Sequence, residues 1–173
     1  MGYRRGVITL RPILAEDADT LYPLIAGTDI PDTLLWDGPA SLDELREGLE
    51  LRAAGTARGE LHQFAIMLDE RAIGSCDVRP DDEFRGDMGL WIGRDFHGRG
   101  YGTETVRLVA RYAFERLQLA KLEATVFVGN VASRRVFEKC GFTLEGTIRR
   151  AVRKRGRWVD EWLFGLLPEE LAR

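Results

Sequence analysis

The feature that most constrains this chain is a glycine-rich stretch, His-Gly-Arg-Gly-Tyr-Gly-Thr, at residues 97–103. It follows a strand-like stretch at residues 88–92 and leads into a pattern that predicts an amphipathic helix over residues 102–117. Alternate glycines let the backbone approach an anion closely, and a helix that begins there adds unpaired N–H groups and a positive dipole end. The stretch predicts a phosphate or pyrophosphate site, although such a turn can also simply connect a strand to a helix.

Spacing separates the nucleotide-binding motifs that share these glycines. The phosphate loop of NTPases needs a lysine, and none lies in or near the turn. The dinucleotide fingerprint Gly-x-Gly-x-x-Gly should open the first βαβ unit, whereas Gly98, Gly100 and Gly102 are spaced differently and lie past the middle of the chain. Residues 97–102 instead resemble the acyl-CoA motif Gln/Arg-x-x-Gly-x-Gly/Ala, except that His97 stands at its first position.

A second segment strengthens this resemblance. Residues 130–142 are similar to the pattern Asn-x-x-Ser-x-x-x-x-Glu-Lys-x-Gly-Phe, which in the same order follows the acyl-CoA motif in the GNAT acetyltransferase superfamily. Asn130 also suits a helix N-cap and Gly141 a helix end, and taken alone Asn130 and Ser133 could be mere caps. The flanking sequences resemble the ribosomal-protein N-terminal acetyltransferases of the RimJ/RimL type, so the resemblance covers nearly the whole chain.

The resemblance implies one GNAT domain over residues 1–173, of the α/β (α+β) class. Its single central sheet is mixed and mostly antiparallel, splayed at the acyl-CoA site and flanked by helices. The patterns predict strands at residues 7–13, 62–68, 72–78, 84–92 and 121–128, and a closing hairpin of residues 143–150 and 157–166. They predict helices at residues 15–26, from a capping box at Ser41 to about residue 54, at residues 102–117, and after Asn130.

The same resemblance implies a binding site for acetyl-CoA as co-substrate. The splay between residues 84–92 and 121–128 would let the pantetheine arm bond like an extra strand, and the amides of residues 99–103 would hold the pyrophosphate. The role of His97 stays open. The residues expected at acetyl-CoA are Leu90, Ile92, His97, Gly98, Arg99, Gly100, Tyr101, Gly102, Thr103, Asn130, Ser133 and Phe137.

The implied reaction is direct attack of an acceptor amine on the thioester. A weak base suffices for an α-amine of pKa 7.7 to 8.0, but not for a lysine near 10.4. Asp87 is our candidate base, acting through water, and its alternative role is a solvated residue at a strand start. Phe137 stands where many members have a tyrosine acid, so Ser133 is expected to hydrogen-bond the leaving thiolate. Cys140 lies on an apolar helix side and is disfavoured as a nucleophile.

The acceptor is not readable from the sequence. An N-terminal α-amine is favoured, and the alternatives are a small-molecule amine (antibiotic, polyamine or aminoacyl nucleotide), a different acyl group such as succinyl, or acyl-CoA binding without turnover. The basic residues between 149 and 157 fit a solvated hairpin tip, or a docking patch for an acidic acceptor, ribosomal RNA or the 3′-phosphate of CoA. Trp36 fits either the acceptor cleft or the packing of a loop on the core.

Composition restricts the partners and the compartment. A net charge of −3 over 173 residues argues against bulk affinity for nucleic acid. Cys76, Cys140, His62 and His97 lack the spacing of metal ligands, so no metal is expected. No apolar run is long enough for a membrane span or a signal peptide, which favours the cytoplasm. The expected partners are acyl-CoA and an amine acceptor, and a ribosomal protein is one candidate for that acceptor. A homodimer is plausible.

Overall fold

The structure, a computed structural model, describes residues 7–172, and these form a seven-stranded sheet in the order β1-β2-β3-β4-β5-β7-β6. Neighbouring strands are antiparallel except for β4 and β5, which are parallel. The predicted mixed, mostly antiparallel sheet is therefore confirmed. The strands are β1 (Ile8–Pro12), β2 (His62–Leu68), β3 (Arg71–Pro80), β4 (Arg85–Ile92), β5 (Lys121–Phe127), β6 (Thr143–Lys154) and β7 (Arg157–Leu166).

The parallel pair is short, and this opens the sheet. Residues 85–87 of β4 pair with residues 121–123 of β5, and the register ends there although both strands continue. Residues 88–92 of β4 pair with β3 on their other side, and residues 124–127 of β5 pair with β7. The two halves of the sheet therefore diverge in a V, which leaves backbone N–H and C=O groups of both inner edges without a strand partner.

Four helices cover the two faces of this sheet: α1 (Ala18–Ile25), α2 (Leu42–Ala57), α3 (Tyr101–Glu115) and α4 (Val131–Lys139). Helices α3 and α4 bury residues such as Val106, Val109 and Phe137 against the even-numbered side chains of β4 and β5. On the opposite face α1 and α2 bury Leu21 and Leu45 in a smaller cluster with residues of β2 and β3. Strand β3 is buried from residue 72 to residue 78 because helices cover both of its sides.

The helix boundaries differ from the predicted ones by a few residues. The first helix is α-helical only over Ala18–Ile25 and starts with a 3₁₀ turn at Ala15–Asp17, where the Asp17 carboxylate accepts from the Leu14 N–H at 2.8 Å. Helix α2 runs to Ala57. Its N-cap is Ser41, whose Oγ accepts from the Glu44 N–H at 3.1 Å, as predicted. The Glu44 carboxylate reaches the Ala40 N–H rather than that of Ser41.

The basic segment forms the tip of the β6–β7 hairpin, and its basic side chains are exposed, as expected of a solvated tip, except for that of Lys154. Strand β6 continues to Lys154, and a turn at Arg155 and Gly156, both at positive φ (47° and 80°), closes the hairpin. Lys154 is only 8% exposed, and its Nζ donates to the Trp36 carbonyl at 2.9 Å and lies 2.6 Å from an Asp37 carboxylate oxygen. The hairpin tip therefore lies against the segment between α1 and α2.

Among the residues that the structure describes, no helix is both long and apolar enough to cross a membrane.

Candidate functional site

The glycine-rich stretch forms a left-handed turn at the start of α3. Gly98 and Gly100 have φ values of 73° and 84°, which residues with a side chain adopt at a cost. Gly100 is the N-cap of α3 and offers no capping side chain, so the amides of the first helical turn point outward unpaired. The local sequence thus builds an anion site of the kind that binds a pyrophosphate.

His97 turns back toward the sheet instead of facing the expected pyrophosphate. Its Nε2 donates a hydrogen bond of 2.7 Å to the carbonyl of Ile92, the last residue of β4. This bond fixes the turn to the open edge of β4. The histidine thus has a positioning contact where other members of the superfamily have glutamine or arginine.

On the other side of the V, α4 begins directly after β5. Asn130 is its N-cap, and the Asn130 Oδ1 accepts from the Ser133 N–H at 3.1 Å. Capping holds the first turn of α4 beside the open edge of β5 and places Ser133 at the wall of the cleft.

A cleft of about 870 Å³ passes between the two halves of the sheet. Of the residues predicted at acetyl-CoA, Arg99 is not part of its wall. The others line it: Leu90, Ile92, His97, Gly98, Gly100, Tyr101, Gly102, Thr103, Asn130, Ser133 and Phe137. The turn, the open strand edge and α4 therefore meet in one cleft, and their unpaired amides suit an extended ligand that ends in phosphates.

Two residues at the C-terminal end of α4, Phe137 and Cys140, offer no acid or nucleophile. Phe137 is 2% exposed and packs edge to face on Phe142, with ring centroids 5.0 Å apart. Cys140 is fully buried, its Sγ donates to the Thr103 carbonyl at 3.4 Å, and burial raises the pKa of its thiol to about 11. A thiol with this pKa is not a thiolate at neutral pH, in agreement with the prediction that Cys140 is not the nucleophile.

Asp87 lies in a different place from the one expected of a base. Its side chain is 47% exposed, and its two oxygens accept from the Arg79 guanidinium at 3.3 and 2.5 Å. It is not among the residues that line the cleft. Asp87 is thus ion-paired with Arg79, which does line the cleft.

Two buried carboxylates that the sequence reasoning missed do line the cleft. Asp77 of β3 is 9% exposed and Glu161 of β7 is 6% exposed. Burial raises the pKa of both carboxyl groups. The charges of Arg79 and Arg52 oppose this rise at Asp77, and a hydrogen bond from Thr125 opposes it at Glu161. The signal for Asp77 was an acid inside an otherwise apolar strand. Glu161 follows the Trp-Val-Asp stretch at residues 158–160 and gave no separate signal.

The segment between α1 and α2 covers this acidic part of the cleft. Trp36 lines the cleft and also packs against the small cluster under α1 and α2, so both interpretations of this residue hold. Ion pairs fix the segment at several points: Asp29 with Arg94 beside the glycine-rich turn, Asp32 with Arg155 at 2.7 Å, and Asp37 with Lys154.

Comparison with known proteins agrees with this geometry. Residues 8–143 match the family described as acetyltransferase (GNAT) domain. The N-acetyltransferase p20 of Bacillus licheniformis, which is uncharacterised, is 27% identical over 169 residues, 95% of each chain.

Two solved structures share the fold. Apo RimL, described as a ribosomal L7/L12 α-N-protein acetyltransferase, has a TM-score of 0.84 at 21% identity and covers 92% of this chain and 90% of its own. Spermidine N-acetyltransferase from Vibrio cholerae, in complex with CoA and spermine, has a TM-score of 0.82 at 22% identity. The match covers 94% of this chain and 96% of the spermidine enzyme.

A splayed sheet with a glycine-rich helix start at the splay defines a CoA-dependent acyltransferase. The chain belongs to the GNAT acetyltransferase family and uses acetyl-CoA. The predicted membership of the GNAT superfamily is therefore confirmed, and RimL shares the fold.

Proposed function

We propose that this enzyme transfers the acetyl group of acetyl-CoA directly to the α-amine at the N-terminus of a protein or peptide. The observation that carries the proposal is the cleft itself, which joins the anion site at α3 to a pair of buried carboxylates on the opposite face of the sheet. Acetyl-CoA suits the first side and a cationic amine the second. The α-amine is favoured because its low pKa needs only a weak base, and carboxylates are weak bases.

Within this proposal the predicted residues act on acetyl-CoA. The outward amides of the turn at residues 99–103 hold the pyrophosphate, and the open edge of β4 at Leu90 and Ile92 bonds the pantetheine arm. Asn130 and Ser133 face the thioester end, where the Ser133 hydroxyl donates to the leaving thiolate because Phe137 has none to offer. Ser133 stabilises charge at the sulfur rather than acting as a true acid.

The α-N-protein acetyltransferase described for RimL supports a protein acceptor. A ribosomal protein in the cytoplasm is the acceptor and compartment that we propose. The spermidine enzyme has the same fold, and two carboxylates in one cleft also suit a polycation. A small polyamine is therefore the second candidate.

The test is thiol release from acetyl-CoA with three acceptors: a peptide pool with free N-termini, the same pool with blocked N-termini and free lysines, and spermidine. Buffer without an acceptor is the control. We expect release with the free pool and background with the blocked pool. Release with spermidine alone would establish the second candidate. Tight binding of acetyl-CoA without release in any arm would contradict enzymatic transfer to these amines.

A further inference from the structure

Asp77 occupies a place in the sheet that gives its carboxylate access to the cleft. It pairs with Gly89 of β4, two residues beyond the last position at which β4 contacts β5. A Cβ atom at Gly89 would lie 3.0 Å from the Asp77 Oδ1, so the missing side chain makes room for the carboxylate. Asp77 therefore borders the V where it begins to open.

The carboxylate is also incompletely satisfied. Although Asp77 is 9% exposed, its Oδ2 has no hydrogen-bond partner within the described residues. The Arg79 Nε lies 3.2 Å from this oxygen, but the guanidinium directs its hydrogen bonds to Asp87. The Oδ2 therefore has an ion-pair contact but no hydrogen bond. Buried polar atoms are nearly always hydrogen-bonded, so a carboxylate with this deficit in the lining of a cleft suits a ligand that donates to it.

The polar neighbours of Asp77 on the same face are occupied with one another. The Gln63 amide donates to the Ser75 hydroxyl, and the Arg52 guanidinium donates to the Gln63 carbonyl at 3.1 Å. Gln63 and Ser75 are both buried and line the cleft. Their hydrogen bonds hold a fixed polar row beside Asp77, so neither side chain is free to satisfy its Oδ2.

Glu161 is the other buried carboxylate, and it differs in this respect. It lies on the β5–β7 half of the sheet, across the V, and it already accepts a hydrogen bond from Thr125. Of these two cleft-lining carboxylates, Asp77 is thus the one with an oxygen that accepts no hydrogen bond.

We propose that Asp77 receives the ammonium group of the acceptor and removes its proton before the amine attacks the thioester. This inference rests on the proposed transfer to an amine. One proton passes from nitrogen to the Asp77 carboxylate, and the freed electron pair forms the C–N bond at the thioester carbon. The C–S bond breaks with its electrons on sulfur, the second proton lost by nitrogen ends on that sulfur as the CoA thiol, and Asp77 returns its proton to solvent.

The charge environment supports a base at this position. The charged groups that face Asp77 are Arg79 on its own strand, Asp87 on β4 and Arg52 on α2. Burial and the Asp87 charge raise the pKa of Asp77, and the two arginines oppose them. A carboxylate with a raised pKa is a stronger base than a solvated one, which suits proton removal from an amine.

The experiment compares Asp77→Asn with the wild type and with Asp69→Asn, a matched substitution in the β2–β3 turn. Thiol release is measured from pH 6 to 9.5 with three amines: free-terminus peptides, spermidine, and an aromatic amine that is already neutral at pH 7. Thermal denaturation and the acetyl-CoA Kd by calorimetry verify that each variant is folded.

We expect Asp77→Asn to lower kcat/KM for the peptides by about 10²-fold or more at pH 7. The difference in kcat/KM between wild type and variant should shrink as pH rises past the α-amine pKa of about 8. With the aromatic amine the variant should lose less than about tenfold in kcat/KM. A deficit that is constant with pH and equal for all amines would assign Asp77 a structural role and overturn the inference, as would unchanged rates.

Failure of the proposed function has a different signature. If the wild-type enzyme acts on spermidine or the aromatic amine but not on peptides, the proposed α-amine acceptor is wrong. The role of Asp77 is then tested by the effect of Asp77→Asn on transfer to spermidine, which must also be deprotonated. Wild-type enzyme that acts on none of the three amines overturns both proposals.

Discussion

Arg79 donates both of its hydrogen bonds on this face to Asp87, from Nε at 3.3 Å and from Nη2 at 2.5 Å. The pair matters for Asp77, since the same Nε lies 3.2 Å from the Asp77 Oδ2, so the two carboxylates share one guanidinium. Asp87 does not line the cleft, and it is thereby a positioning residue for the base that we propose.

Asp87→Asn should shift the pH dependence of turnover. The Asp87 charge raises the pKa of Asp77, so its removal lowers that pKa and also frees Arg79 to bond Asp77. The acidic limb of the kcat profile, where Asp77 becomes protonated, should move to lower pH, and the plateau should fall severalfold because a weaker base remains. A kcat profile measured from pH 5 to 9 that coincides with that of the wild type would remove Asp87 from the mechanism.

Asp77→Asn should stabilise the protein while it impairs turnover. A carboxyl whose folded pKa is raised binds its proton more tightly in the folded state, so stability decreases as pH rises from the ordinary pKa to the folded one. The neutral amide avoids this loss and also the unsatisfied charge, so the free energy of unfolding at pH 7 should rise by about 1 to 3 kcal/mol. Urea denaturation at pH 7 and pH 4 checks the sign, because the gain should shrink at the lower pH.

Ser133→Ala should lower kcat by about tenfold or more, which is the loss expected when a hydrogen bond to a developing charge is removed. The helix start is preserved, since the Asn130 cap bonds the backbone N–H of Ser133 and not its hydroxyl. The acetyl-CoA Kd, measured by calorimetry, should therefore change less than twofold. A weaker acetyl-CoA Kd with kcat unchanged would show that the hydroxyl contributes only to binding.

Gly98→Ala and Gly102→Ala should have opposite effects on stability. A Cβ at Gly98 meets nothing within 4 Å, but its φ of 73° costs an alanine about 1 to 2 kcal/mol. Gly102 lies inside α3, and its Cβ would make ordinary contacts with Val136 at 3.5 and 3.7 Å. Alanine there should stabilise the helix by about 0.5 to 1 kcal/mol. Thermal denaturation of the two variants compares backbone strain with helix propensity in one motif.

Lys154→Met should raise the KM for the acceptor severalfold and leave the acetyl-CoA Kd unchanged. Methionine fills the same apolar space but cannot hold the Trp36 carbonyl or the Asp37 carboxylate, which fix the segment over the acidic part of the cleft. The matched control is Arg153→Met, in which an exposed neighbour is neutralised. If Arg153→Met has the same effect, the charge of the hairpin acts by docking the acceptor and not by holding the segment.

Local patterns were enough to predict most of the fold and the acetyl-CoA half of the site. The strands and helices follow from hydrophobic periodicity, and the turn and the Asn130 cap are contiguous motifs whose geometry depends on a few adjacent residues. The half that faces the acceptor depends on register between strands. Asp77 reaches the cleft because it pairs with Gly89 beyond the end of the β4–β5 contact, and neither fact can be read from one strand alone.

The burial of Lys154 within the basic segment could not be predicted for a similar reason. The segment carries five arginines and one lysine with little apolar character, which is typical of a solvated tip. The burial of Lys154 depends on a carbonyl 118 residues away, and a contact of that separation leaves no local signal.

The long-range hydrogen bond between Lys154 and Trp36 has a consequence for the order in which the chain folds during synthesis. The segment that contains Trp36 is synthesised before the β6–β7 hairpin that holds it. A nascent chain that has completed α3 and α4 carries the glycine-rich turn but lacks the strand that pairs with β5 and the lysine that anchors Trp36. The two walls of the cleft are thus joined only after β6 and β7 have been added to the sheet.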